Sequence, residues 1–508
     1  MIKSNISFKT ILATLAVTVA LVSCTKEITS GRVDTDPEAP VLEGSRVITV
    51  SFDTPTRTYL DTLRPKFKDG DSILLATRPE DIDSPLDTET VAVTVKEKKA
   101  TITTKLSGNL IAFYPAKYVR IDKKPAFLFS AVQTGEFKDA NLCEALIDAD
   151  NQVAQFTNAS ALFNIDLPQG TTKLTIRSLP GIGDDGQRTG DVAPINNEGK
   201  SESYVITVGD GTKTFDKSYC YVSLMPGVQL RNLSFEASVD ASTGFIKGIP
   251  VDEKLEAAMA RDTVSNDDCI DKGWSYWIGD ENWHEYVTIG NRKWATMNIG
   301  ANSPQEAGEY FAWGGTTGYV QTRPDGDWYS FSPPDSTLLE GGFCWAKCPH
   351  TQGVYTDSLK RVFTKYTADD SQFASSGLAD GKTILDLEDD AAYVKWGGAW
   401  RMPTQTEFSA MILKCQGEFN SGQYFGDNDS SPKIFLPAAG CGNGGNNPGN
   451  KTELRYWSST LGPFNSRETA YSLFEDSEGQ PTCCEYPERY YGYTIRAIID
   501  EYVAIPDE

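Results

Sequence analysis

Histidine is nearly missing from this chain. Only His284 and His350 occur in 508 residues, which excludes mechanisms that need a cluster of imidazoles. Basic residues are also short, with 47 Lys and Arg against 70 Asp and Glu and a formal net charge of −23. So acidic a surface repels nucleic acid and anionic lipid, and neither is expected as a partner. Beyond the N-terminus there is no apolar run of the roughly 20 residues that span a bilayer. Cysteine is sparse, ten in all, and its spacing is not that of a small disulfide scaffold. Cys344, Cys348 and His350 form a C-x3-C-x-H pattern. A zinc site needs a fourth ligand and normally a recurring pair, and none is evident, so a disulfide or buried thiols fit better. Adjacent Cys483 and Cys484 would strain a bond between them, so each is expected to pair elsewhere or stay buried. Carboxylates adjoin often, as in Glu388-Asp389-Asp390. In so acidic a chain that adjacency means little, because glycosidases need two carboxylates set across a cleft. No enzyme, metal or cofactor is expected.

What is present starts at the N-terminus. Lys3 and Lys9 precede an apolar run from Ile11 through Val22 that ends at Leu21-Val22-Ser23-Cys24. About a dozen residues suit the apolar core of a secretory signal rather than a span. Ser23 before Cys24 resembles the box read by lipoprotein signal peptidase, which cuts before a diacylated cysteine. Residues 1–23 are therefore expected to be removed, with Cys24 carrying lipid. Thr25-Lys26-Glu27 is similar to the charged export signal of surface lipoproteins in the Bacteroidetes. Losing Lys3 and Lys9 leaves 45 basic against 70 acidic residues, a balance of −25, and nine cysteines besides Cys24.

Residues 24–45 are polar, with Pro37 and Pro40, and read as a tether. From Val47 to about Val239 the chain reads as strands. These are Val47–Phe52, Val91–Val95, Ala100–Thr104, Leu174–Ile176, Tyr204–Val208, Tyr221–Leu224 and Leu233–Phe235, β-branched and aromatic between Gly, Pro and Asp turns. That pattern predicts antiparallel sandwiches, one over 46–155 and a second over 156–250. Asp252 to Arg261 has a short helical pattern, and 251–274 reads as a linker. Residues 275–503 differ in texture. Nine of the ten tryptophans lie between Trp274 and Trp400, and Trp457 is the tenth. Helices are expected from about Leu387 to Lys395, ended by Gly397-Gly398, and from Thr404, where Thr404 and Glu407 form a capping box. This last region is expected to be α+β.

Two resemblances emerge. Residues 46–252 resemble the fimbrillin-like lipoproteins of the Bacteroidetes, through Thr56-Arg57-Thr58, Phe67-Lys68-Asp69-Gly70-Asp71-Ser72-Ile73 and Phe113-Tyr114-Pro115. Residues 283–499 resemble the Fibrobacter-type major paralogous domain. The motifs are Trp294–Gly300, Gly308–Gly314, Trp396–Thr404, Tyr456–Thr460 and Ile495-Arg496-Ala497. The resemblance implies a mainly β protein, with two tandem transthyretin-like sandwiches followed by a C-type-lectin-like domain. Most of these motifs read as structural: Trp400 and Trp457 would fill a core, and Arg401 and Arg496 would tie loops together by forked hydrogen bonds. The calcium-ligand tripeptides of true C-type lectins are missing, as is any match to the catalytic cysteines of the related formylglycine-generating enzymes.

The binding candidate is the loop Gly440–Asn450. Asn443, Asn446 and Asn447 offer amides to hydroxyls, and Tyr456 and Trp457 offer rings for stacking. Together the features and the two resemblances imply a cell-surface adhesion subunit at the outer membrane, the tip component of a fimbria, with a glycan or host surface molecule as ligand. The resemblance to fimbrillin-like lipoproteins implies that other fimbrial subunits would bind by donor-strand addition, after cleavage at Arg32 or Arg46. The tail Asp500–Glu508 reads as too short and acidic to donate a strand. The alternatives are a permanently anchored surface lipoprotein without a pilus and a polysaccharide-acting enzyme.

Overall fold

Alternation along Arg46–Phe52 (β1) turns Ile48 and Val50 inward and leaves Val47 and Ser51 outside, the period of two that a pleated strand imposes. The computed structural model describes residues 44–52, 66–78, 86–121, 125–127, 129–178, 181–182, 188–189, 205–226, 233–250, 275–321, 328–332, 335–352, 362–367, 380–418, 421–443, 453–463, 468–475 and 479–499. The protein is mainly β, with 47% of the described residues in strands and 8% in helices. No described helix is long and apolar enough to cross a membrane.

The first sheet contains β1, Ser72–Thr77 (β2), Thr88–Ala92 (β3), Thr94–Lys96 (β4), Lys99–Thr104 (β5), Leu110–Tyr114 (β6), Cys143–Ile147 (β7) and Val153–Asn158 (β8). Its order is β3-β2-β6-β7-β8-β1-β5-β4. β1 runs parallel to β8, with Thr49 opposite Val153, and antiparallel to β5. The two end strands, β3 and β4, are separated in the chain by Val93 alone. Val93 is buried and its N–H donates to Asp71 O at 2.7 Å. The sheet therefore curls back on itself around Ile48, Ile73, Leu75, Ile102, Leu110, Ile147 and Phe156.

The expected division near Gln155 falls inside β8. The change of sheet comes at Ala159–Ser160, before Ala161–Asp166 (β9). β9 is the centre of a three-stranded sheet, between Tyr219–Leu224, antiparallel to it, and Ser275–Ile278, parallel to it. Lys173–Ser178 (β10), Val205–Val208 (β11), Leu233–Ser238 (β12) and Thr243–Lys247 (β13) form the opposing layer. Phe163, Ile176, Ile206, Val222, Phe235, Tyr276 and Ile278 fill the space between.

That opposing layer does not end there. β13 pairs with His284–Ile289 (β14), Thr243 opposite Val287. The sheet runs on through Arg292–Ala295 (β15) and Ile498–Ile499 to Trp400–Arg401, giving nine strands with Val132–Gln133 at the far edge. Glycine makes this junction possible. A Cβ on Gly248 would fall 2.2 Å from Gly397 C, and one on Gly397 would fall 2.1 Å from Ile249 O. The expected helix 252–261 lies outside the described residues.

The expected helix 387–395 is two elements. Leu387–Asp389 is a 3-10 turn, and Ala391–Trp396 (α1) follows. Asp390 breaks the run because its carboxylate caps α1, accepting from Ala392 N (2.9 Å) and Tyr393 N (3.2 Å). The capping box at Thr404 is formed, and it opens Gln405–Ile412 (α2), which buries Phe408 and Met411. Trp294, Trp313, Trp328, Trp400 and Trp457 are all fully buried. Arg401 forks onto Glu407 at 2.8 and 2.7 Å. Buried Arg496 donates to Asn298 Oδ1, Ala295 O, Thr296 O and Phe435 O. Both arginines thus tie loops as the sequence suggested.

Candidate functional site

Tyr456 and Trp457 lie side by side in the strand Arg455–Leu461, and both are 0% exposed. The Tyr456 hydroxyl donates to Pro437 O (2.8 Å), and Trp457 Nε1 donates to Phe311 O (2.8 Å). The expectation that these rings stack on a ligand is corrected. Their strand is covered on both faces, so they belong to the core. Asn443 is exposed, whereas Asn446 and Asn447 lie outside the described residues, as do Cys24 and Arg32. Arg46 opens β1, opposite Thr104, and its Nη1 donates to Ala149 O at 2.9 Å. Among the described residues, all eight strands of its sheet begin at or after Arg46.

The start of the candidate loop is fixed firmly. Gly442 and Gly492 exchange backbone hydrogen bonds of 2.8 and 2.9 Å. The Phe343 ring packs against both, and a Cβ would come within 2.7 Å of it at Gly442 and 2.3 Å at Gly492. Phe343 also lines a cleft of about 330 Å³. The cleft therefore adjoins Gly440–Asn443, the described start of the loop, with Phe343 shared between them.

Its walls come from separate stretches: Gly314 to Thr317 with Tyr319, Phe343 to His350, Asp389, and Tyr490. Thr316 is half-buried and Thr317 exposed. Tyr490 continues a ladder of rings outward from the core. Trp457 stacks on Tyr493 (4.5 Å), Tyr493 on Tyr491 (6.2 Å), and Tyr491 lies against Tyr490 (4.6 Å), which meets Trp345 at 5.0 Å. Sequence reasoning missed these outer rings. The signal was the cluster Tyr490-Tyr491-Gly492-Tyr493, close enough in the chain to reach one rim.

One end of the cleft is a charge network. His350 Nε2 lies 3.1 Å from Asp389 Oδ1, within ion-pair reach, with its N–H off the hydrogen-bond line. Asp389 also accepts from Lys365 Nζ (2.5 Å) and from the Tyr366 hydroxyl. Burial pushes Asp389 up, but His350, Lys365 and Tyr366 outweigh it and hold the carboxyl at about 2. Burial likewise works against the Lys365 ammonium, yet Asp386, Asp389 and Glu388 raise its pKa. Those three carboxylates gather tightly enough to suit a cation. The Lys365 ammonium already sits among them, 2.6 Å from Asp386 Oδ2 and 2.6 Å from Glu388 Oε1. Asp390, the third acid of the run, points elsewhere as the helix cap.

Cys344 is half-buried with a free thiol, and Cys348 is buried. Among the described residues, Cys344, Cys348 and His350 do not converge as a ligand set. No hydrogen bond joins Cys344 to His350 among the described residues. What the cleft offers instead is aromatic rings, hydroxyls and one lysine, Lys347.

No family model and no curated protein matches this chain. Solved structures are similar over about half of it. One is a putative cell adhesion protein from Bacteroides uniformis, at 13% identity over 46% of this chain and 91% of that one, with a TM-score of 0.25. A second, from Bacteroides ovatus, is also a putative cell adhesion protein, at 10% identity, 48% and 96% coverage and a TM-score of 0.25. A third is a putative adhesin from Bacteroides ovatus, at 10% identity, 49% and 93% coverage and a TM-score of 0.24.

Proposed function

We propose that this chain is a cell-surface adhesion protein, exported as a lipoprotein through Cys24, that holds its ligand in the cleft beside the Gly440–Asn450 loop. The observation that carries the reading is the meeting of cleft and loop at Phe343. A pocket at the lower end of the volumes that small ligands occupy adjoins Gly440–Asn443, where a stretch rich in glycine and asparagine begins. The test is attachment to host cells by bacteria carrying the full chain. Thr317→Trp, which fills the cleft from an exposed position, abolishes attachment under this reading. Unchanged attachment overturns it.

Within that reading, the resemblance of 46–252 to fimbrillin-like lipoproteins supports a tip subunit, with other fimbrial subunits as partners through strand addition. Immunogold label at filament ends is the expected result. Label along the cell body alone would favour the permanently anchored form at the outer membrane. Mass spectrometry of the mature protein adds a second check, since a tip subunit cut at Arg32 or Arg46 has lost Cys24. Release of product from a bound polysaccharide would instead indicate an enzyme.

A further inference from the structure

Lys347 stands apart from the other lysines around it. Among the described residues from 284 to 499, Lys293, Lys365, Lys382, Lys395, Lys414 and Lys433 each pair with a carboxylate. Lys347 alone makes no ion pair, although the chain carries 70 acidic residues. It is exposed and lines the cleft. The one carboxylate in the lining, Asp389, is occupied by Lys365, Tyr366 and His350. An anion entering the cleft thus meets a free ammonium and a carboxylate whose charge is already countered.

The rest of the lining narrows the ligand. The Thr316 and Thr317 hydroxyls make no hydrogen bond within the described protein, so their donors and acceptors are free for a partner. Tyr319, Phe343 and Tyr490 add aromatic surface, which packs against the C–H face of a sugar ring. A volume of about 330 Å³ lies at the small end of ligand pockets and suits a terminal one- or two-ring unit.

Resting on the adhesion reading above, we infer that the cleft takes a carboxylate-bearing saccharide, of the uronic or sialic acid class. Lys347 pairs with the carboxylate, Thr316 and Thr317 bond the hydroxyls, and Tyr490 supports the ring. Lys347 acts as a specificity residue, since it meets only the group that separates acidic sugars from neutral ones.

The experiment is calorimetric titration of the full chain with a sialic acid glycoside, a glucuronide, their methyl esters and a glucoside. At least one acid binds at least about tenfold more tightly than its ester, and its binding weakens several-fold as salt rises from about 50 to about 500 mM. Lys347→Gln removes that preference, Lys347→Arg retains it, and both keep the wild-type melting temperature, because the side chain is exposed and unpaired. The inference is overturned if esters and acids bind alike or if Lys347→Gln keeps the preference. Thr317→Trp separates the two readings. Attachment lost in Thr317→Trp, with acid and ester bound alike by the wild type, sinks the acidic ligand and leaves the adhesion site. Attachment kept in Thr317→Trp sinks the site itself.

Discussion

Between Arg46 and Asn158 the buried interior is almost wholly apolar, with Thr104 and Asn141 the buried polar residues among those described. Between His284 and Ile499 the interior also holds Asn298, Asp386, Asp390, Gln423, Arg489 and Arg496. The reason lies in how each region satisfies its backbone. Eight strands in one curled sheet bond one another along ladders, so side chains need only fill space. The C-terminal region has short strands and long loops, and its buried carbonyls must be met by side chains. Trp313 Nε1 donates to Ser458 O (2.9 Å), the Tyr310 hydroxyl to Ala439 O (2.6 Å) and Thr494 Oγ1 to Ala307 O (2.6 Å). A regular ladder frees the core to be apolar. An irregular one makes polar side chains part of the framework.

The most damaging way to break this comparison is at the glycine junction. Gly397→Ala is expected to cost more than about 4 kcal/mol, since its Cβ would meet Ile249 O at 2.1 Å. Gly108 shares the left-handed φ but has open space around it, so Gly108→Ala should cost about 1–2 kcal/mol. Thermal denaturation followed by near-UV circular dichroism compares them, and equal losses would refute the packing argument. Next comes Arg496→Met, which leaves three carbonyls and the Asn298 amide oxygen without a donor. About 3–5 kcal/mol is expected, against about 0.5–1.5 for Ile102→Val in the first sheet; urea titration measures both.

Acid gives a smaller, signed effect. Burial pushes Glu407 up, but Arg401 and Thr404 outweigh it and hold the carboxyl at about 2. Its folded pKa is depressed, so the stability it contributes is present above the ordinary glutamate range, near 4.5, and is lost as pH falls toward 2. The loss is on the order of 2–3 kcal/mol, and Glu407→Gln flattens the slope of stability against pH in that window. Asp390 acts with the opposite sign at higher pH. Burial raises it to about 6, so the cost of its charge is relieved as pH falls from 6 toward 4. Leu146→Thr should give the least effect. That side chain is 58% exposed, and a change within about 0.5 kcal/mol is expected.

How far each region was legible follows from the same difference. The strands Val47–Phe52 and Ala100–Thr104 were read nearly to their ends, because alternation is a local signal that the ladder preserves. The Thr404–Glu407 cap was legible for the same reason, as both partners lie within one turn. Leu387 to Lys395 was read as one helix because Asp390 fits a helical pattern as well as a cap. Tyr456 and Trp457 were assigned to a ligand, since an aromatic pair after a glycine-rich loop looks alike whether its strand is covered on one face or two. The pairing of Thr243 with Val287 across the expected linker left no trace in either segment.

The sequence by itself determined the mainly β class, the helix cap and the arginines that hold the loops. Each rests on neighbours in the chain or on residue chemistry that no packing can alter. Only the tertiary structure decided that one sheet passes from the second core into the C-terminal region, and that a cleft forms beside Gly442. It also decided that Lys347, of all the described lysines around it, is left unpaired there. Those outcomes depend on which distant segments meet, and that is set by register and close packing rather than by any property of the segments alone.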